Sequence, residues 1–497
     1  MRLINFVVGA TLGLFLLTGC KGNGGNDTKV IVTSPNPPVV KSYGIFRNLK
    51  ATVPMAPLAQ ASSVNQSVTM SYAREGHKAL MLDDGRIMLI GGEVLDAGLF
   101  PDHSIADFYD PINERFTPST TPSLIFHRYL SGNNFAMVKI TNGLYSGKVL
   151  IVGGLNQGVG VMEFYDPATD TYDIPDNAKL LFNAGTAFTV EAAFYLGNDK
   201  MLLCGTHYFG EVVNKPFIIL DMSSWTISEV SDSPSNFWAE YKQLPNGNVI
   251  AVSGLSGMNF TDVTDNGVYR FNISDFSVSK IGSINQARGG FGLVLLNGGN
   301  KIGIYGGMIG RITSVVATSS VEVFDFNTNT SINSTNLIAS RYFQSSILLQ
   351  NGFVLNAGGC DFDGHTVDTE FVHNPTSGES GSTGTLITPR RFYSAVTLNN
   401  GTVLISGGET RVGDKLNTAE IYDPQSKIVV SFTTDHVSVG RTLQFTSSYV
   451  NGVDWSCNTG SISATGLFTP STTGSVKIKA TAKDNSSLFA EVEITVE

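Results

Sequence analysis

The stretch Asp84-Gly85-Arg86-Ile87-Met88-Leu89-Ile90-Gly91-Gly92 decides the fold. Asp-Gly is a tight hairpin-turn pair. Four apolar residues in a row read as a strand buried on both faces. A Gly pair permits backbone conformations and close approaches that a side chain forbids. The phrase returns as Asn400-Gly401-Thr402-Val403-Leu404-Ile405-Ser406-Gly407-Gly408. Further copies end at Gly153-Gly154, Gly306-Gly307 and Gly358-Gly359, and two degenerate ones at Gly205-Thr206 and Ser253-Gly254. The end points 92, 154, 206, 254, 307, 359 and 408 are 62, 52, 48, 53, 52 and 49 residues apart. A period near 50 marks an array in which each copy supplies one supersecondary unit.

Composition agrees with many short strands and tight turns. Of 497 residues 53 are glycine, only 15% are charged and 42% are apolar. That much apolar material excludes intrinsic disorder. The formal charge of −10 speaks against nucleic acid, whose phosphates call for clustered Lys and Arg. No phosphate-binding Gly loop, HExxH, GxSxG or paired CxxC is present, so no catalytic residue, metal site or cofactor is expected. Asp361-x-Asp363-Gly364-His365 with Asp368 has too few ligands for a calcium loop.

The flanks of each copy resemble kelch repeats. Arg74-Glu75-Gly76-His77-Lys78-Ala79 precedes the first hairpin and is echoed by Arg288, Arg341 and Arg390…Tyr393…Ala395. Ala419-Glu420-Ile421-Tyr422-Asp423-Pro424, Glu163-Phe164-Tyr165-Asp166-Pro167 and Ala106-Asp107-Phe108-Tyr109-Asp110-Pro111 follow the Gly pairs. The resemblance covers residues 62–427 and implies an all-β, seven-bladed kelch-type β-propeller with four strands per blade. The last copy is short of a fourth strand, and Ser67-Val68-Thr69-Met70-Ser71 is expected to supply it from the N-terminal side. Closure within one end of the chain is the alternative.

Residues 428–497 break the period and resemble a group 2 bacterial immunoglobulin-like domain, a small β-sandwich. The resemblance rests on Val439–Phe445, Val453-Asp454-Trp455, Gly460–Pro470 and Val492–Val496. Trp455 is expected in its core. At the other end, Arg2 and the apolar run Leu3–Leu17 lead to Leu17-Thr18-Gly19-Cys20, which resembles a bacterial lipobox. It implies a signal peptide over residues 1–20, lipidation of Cys20 and a membrane anchor of more than one acyl chain. The alternative is an ordinary cleaved signal. Residues 21–61 read as tether and linker, and Lys21 in place of Asp points to the outer membrane or cell surface. Cys204, Cys360 and Cys457 remain, an odd number that implies no disulfide framework, although a Cys204–Cys360 bridge stays open.

In the kelch family the face carrying the longer loops surrounds a central channel and binds ligands. The resemblance places Arg74, Arg288, Arg341 and Arg390 around that mouth, with His77, Trp238 and Tyr393 near the inner strands and His207 and Tyr208 on a loop. Arg offers bidentate recognition of anions, and aromatic rings offer faces for sugars. The competing role for the arginines is structural, tying strand one to carboxylates of the Glu163 type on a neighbouring blade. The expected function is binding of a glycan or surface protein by a monomeric, lipid-anchored envelope protein. The alternative is a carbohydrate-active kelch enzyme, similar to sialic-acid mutarotases or to galactose oxidase. The copper of the latter needs two Tyr and two His, including a Tyr-His dipeptide that this chain lacks.

Overall fold

The computed structural model describes residues 39–41, 45–49, 68–94, 106–121, 135–153, 162–179, 187–209, 213–231, 239–256, 262–311, 314–361, 366–367, 371–375, 380–382, 386–410, 414–424, 429–447, 452–483 and 485–497. The proposed leader, Cys20 and Trp238 lie outside them. No helix among the described residues is long and apolar enough to cross a membrane.

Among the described residues the first six repeats each form an antiparallel meander of four strands, and the seventh supplies three. The first runs Lys78–Met81, Ile87–Ile90, Asp107–Asp110 and Arg115–Pro118. Six more follow, opening with Phe135–Lys139, Ala192–Gly197, Glu240–Gln243, Gly292–Leu296, Ser345–Leu348 and Ser394–Thr397. The hairpin Met308–Arg311/Ser314–Ala317 departs from the fifth sheet and joins the fourth through Asp262 and Arg311. The apolar run of each repeat is the second strand, buried along its length in Ile87–Ile90, Val149–Gly153 and Val403–Ser406. Burial on both faces is what an unbroken apolar run requires.

The sheets pack face to face in chain order. Leu80, Met88 and Ile90 of the first share a core with Phe135, Val149 and Ile151 of the second, and the pattern continues pair by pair. Ile87, Leu89 and Tyr109 of the first sheet pack against Leu398, Leu404 and Ile421 of the seventh. The chain thus returns to its start.

The strand that completes the seventh sheet is Ile45–Asn48, paired antiparallel with Ala419–Asp423 from Ile45↔Asp423 to Asn48↔Glu420. An N-terminal strand does the closing, as expected, but it is not Ser67–Ser71. Val68 and Thr69 form a bend, and Met70 instead tucks its side chain into the first–seventh interface. The phrase Ile45-Phe46-Arg47-Asn48 wins because Phe46 buries its ring against Tyr422, 4.9 Å away.

Beyond the seventh sheet, His436–Val437, Asn485–Val496, Gly474–Ala482 and Val453–Cys457 make one sheet. Leu443–Gln444, Leu467–Thr469 and Ser461–Ile462 make another. Phe445, Phe468, Ile478, Val492 and Ile494 form their common core, with Trp455 half-buried at its edge. Val39–Lys41 pairs with Val429–Ser431, and Val430 belongs to this same core. The N-terminal segment therefore donates one strand to the C-terminal unit and, a few residues later, one to the seventh sheet.

Candidate functional site

The four repeat arginines are inside the sheets. Arg288 Nη2 donates to Glu322 Oε1 at 2.5 Å, and its Nη1 donates to the carbonyls of Gly306 and Ser320. Arg390 does the same with Glu420, Gly407 and Thr418, and Arg74 with Asp107 and Gly91. Arg341 donates to the Gly358 carbonyl. All four are at most 1% exposed, which leaves no guanidinium face for a ligand. The carboxylate comes from the third strand of the same sheet, which also corrects the expectation of a neighbouring-blade partner. Glu322 further accepts the backbone N–H groups of Asn285 and Gln286, and Glu420 those of Ile387 and Thr388. Each carboxylate therefore pins the chain as it enters its sheet.

His77 and Tyr393 are staples between sheets. Tyr393 donates to the Ala357 carbonyl at 2.5 Å, and Gln344, one repeat earlier, donates to the Tyr305 carbonyl at 2.6 Å. His77 Nε2 meets Ser406 Oγ at 3.1 Å, carrying the pattern across the first–seventh junction. Burial, aided by Arg74, Lys78 and Arg390, holds the His77 imidazole well below its ordinary pKa. The Gly pairs serve the same junctions. Gly307, Gly359 and Gly408 donate their N–H to the carbonyls of Arg341, Arg390 and Arg74 in the following sheet. Backbone pairing sets His207 and Tyr208 opposite Thr189 and Phe188 in the third sheet, a strand extension and not a loop.

The residues gathered around open space are different ones. The innermost strands of the fourth to seventh sheets line an open cavity of about 540 Å³. Glu240, Lys242, Gln344, Ser345, Ile347 and Val294 are among its lining residues. Glu240 is half-buried, and its carboxyl has no hydrogen-bond or ion-pair partner among the described residues. Burial pushes it up to about 7, against the pull of Lys242 and Lys78. Lys78, on the inner strand of the first sheet, is brought down to about 8 by burial, opposed by Glu240 and Glu191. Buried Glu191 accepts from the Tyr241 hydroxyl at 3.3 Å. Glu240 lines the cavity and Lys78, which does not, lies close enough to act on its charge; two titratable groups so linked and held near neutrality suit ligand recognition or proton transfer.

A signal for this set exists in the sequence. Lys78, Ala192, Glu240, Ser345 and Ser394 each stand thirteen residues before the first residue of the Gly-Gly element. Each pairs with the residue just ahead of that element, so they occupy one level of the lumen. Reading the repeats in register at that position, and not at the arginine, singles out Lys78 and Glu240.

A second polar cluster lies at the junction of the seventh and first sheets. Lys415 Nζ is 2.6 Å from Glu93 and 3.4 Å from Glu75, and Arg391 is 2.8 Å from Glu409. Burial and the neighbouring Glu409 push Glu75 up to about 7. Cys204, Cys360 and Cys457 are free thiols, and burial raises all three.

Among the described residues the donors present do not fit a copper centre. His77 is committed to Ser406, His373 lies between Tyr305 and Ser334, and Tyr393 donates to a carbonyl. Among the described residues no group of three His, Cys, Asp or Glu could hold a metal ion.

No protein-family model matches the chain, and no curated protein matches it. Among solved structures it is similar to a fungal alcohol oxidase of the AA5 family, solved in complex with copper. The TM-score is 0.53 at 12% identity, over 87% of this chain and 98% of that one. At that identity the likeness concerns the fold alone: the chain has an all-β architecture of four-stranded antiparallel sheets, consistent with a propeller-like fold.

Proposed function

We propose that residues 62–427, with the strand Ile45–Asn48, form a seven-bladed kelch-type propeller, and that residues 428–497 form an immunoglobulin-like module. On this reading Cys20 carries the lipid anchor, and the propeller faces outward from the cell envelope. Its job is to bind a glycan, whose terminal sugar enters the channel between the inner strands. The observation that carries the reading is the lumen itself, a cavity of about 540 Å³ that joins polar Glu240, Lys242 and Gln344 to apolar Val294 and Ile347. Pockets of this size, apolar with a few placed polar groups, are what small ligands occupy.

A second reading is supported by the likeness to an alcohol oxidase and by Glu240 and Lys78 sitting near 7 and 8. It is a carbohydrate-active enzyme that moves protons on its sugar and does without the copper centre for which the described donors are unsuited. A glycan array probed with the purified full-length chain tests the binding reading. Specific hits competed by the free terminal sugar support it, and a blank array with folded protein rejects it. Conversion of the bound sugar, followed by NMR, would move the assignment to the enzyme.

A further inference from the structure

Four residues at the heads of the inner strands share one backbone conformation. Gly76, Gly290, Phe343 and Phe392 stand two places before Lys78, Gly292, Ser345 and Ser394, with φ of +65°, +58°, +54° and +53°. Backbone hydrogen bonds tie them from sheet to sheet: Phe343 N–H donates to the Gly290 carbonyl at 2.8 Å, and Gly76 N–H to the Phe392 carbonyl at 2.7 Å. This left-handed region suits glycine and strains a bulky side chain. The first and fifth sheets use glycine there, whereas the sixth and seventh hold phenylalanine. Trp225 and Phe276 also have positive φ, but in outer hairpins, where their rings pack onto the cores between sheets. Phe343 and Phe392 belong to none of those cores. Backbone strain that core packing does not repay is concentrated at ligand clamps and similar sites.

The rings gather on one another instead. Phe343 lies 5.0 Å from Tyr342 and 4.8 Å from Phe392, and Arg391 braces Phe392 with its guanidinium 5.2 Å from the ring centre. All three aromatics are half-buried, so each keeps surface that a ligand can reach. Gln344 and Ser345, which follow Phe343 in the chain, line the cavity, and this sets the aromatic group at its edge. A pyranose with equatorial hydroxyls turns its axial C–H groups to either face, and each apolar face gains by leaving water for an aromatic surface. We infer that Tyr342, Phe343 and Phe392 form a second sugar subsite at the rim of the channel. The ligand is then an oligosaccharide of equatorially substituted pyranose rings, one ring in the channel and the next on the rim. This inference rests on the channel being the sugar-binding site.

Calorimetric titration of the full-length chain with D-glucose, cellotetraose and chitotetraose, beside thermal melting of each variant, tests the subsite. One tetrasaccharide should bind about tenfold tighter than glucose. Phe392→Gly permits the same backbone conformation and removes the ring. It should erase most of that gain and melt within a few degrees of wild type, because the first and fifth sheets already carry glycine at this position. Should it fail to fold, Phe392→Leu, which keeps apolar bulk without an aromatic face, reads the same loss. Phe392→Tyr keeps the ring and should keep the gain. A tetrasaccharide gain that survives in a folded Phe343→Gly/Phe392→Gly chain overturns the subsite and marks the rings as packing. Tetrasaccharides that bind no tighter than glucose overturn it as well and leave the channel standing. No binding of either tetrasaccharide also overturns the subsite, and the channel reading falls with it only if the glycan array is blank.

Discussion

A guanidinium sealed beside a carboxylate has a different energetic meaning from one facing solvent. Arg390 and Glu420 are both at most 1% exposed, so removing one partner strands the other as an uncompensated buried charge. Arg390→Met should therefore cost about 3–5 kcal/mol of stability, read by urea denaturation. A variant that lost ligand while keeping wild-type stability would contradict the structural role. Glu75 makes the opposite kind of contribution. Its carboxyl titrates at about 7 in the folded chain and at 4.5 as an ordinary glutamate, so the folded state binds more protons between those values. Stability must then fall as pH rises from 4.5 to 7. Glu240 adds to the fall in the same direction. Glu75→Gln should flatten the decline and raise stability at pH 8 by about 1–3 kcal/mol. Melting temperatures measured at pH 5 and pH 8 test this, and an unchanged difference between them would refute it.

At the level of elements, the repeat phrase is a set of joints. Gly92, Gly307, Gly359 and Gly408, each the second Gly of its pair, have positive φ, +87° at Gly408, where a Cβ would stand 2.5 Å from the Arg391 carbonyl oxygen. Gly408→Ala should lose more than about 1 kcal/mol from strained backbone alone. The strand Ile45–Asn48 is the other joint. Without it, Ala419–Asp423 becomes an exposed edge, and Phe46 leaves its place against Tyr422. A chain lacking residues 1–50 should exchange its amide hydrogens fastest in the seventh sheet. It should also loosen Val429–Ser431, because Val39–Lys41 is lost with it. Unaltered protection in both places would show that the clasp is dispensable.

For the molecule as a whole, the period of the Gly-Gly phrase carried nearly all of the architecture. Turn, buried strand and Gly pair each have one physical use, and they recur in order. The closing strand was hidden because Ile45–Asn48 is short and has no repeat of its own, while Ser67–Ser71 mimics a strand through its alternation. The site was harder still. Arg74, Arg288, Arg341 and Arg390 recur because the first, fifth, sixth and seventh sheets use the same joint, and His77 and Tyr393 staple neighbouring sheets, so repetition marked structure and drew attention away from function. Glu240 and Lys78 depart from the repeat at a position that elsewhere holds Ala, Gly or Ser. Departure from the pattern is where a binding site on a repeated scaffold is to be sought.

The most direct test is to place the double variant Glu240→Gln/Lys242→Met beside the wild-type chain and measure glycan binding and thermal melting on the same samples. The account predicts that binding to the array hits is lost while the melting temperature at pH 7 stays at or slightly above wild type. Wild-type affinity in a folded double variant would show that the channel is not where the ligand sits.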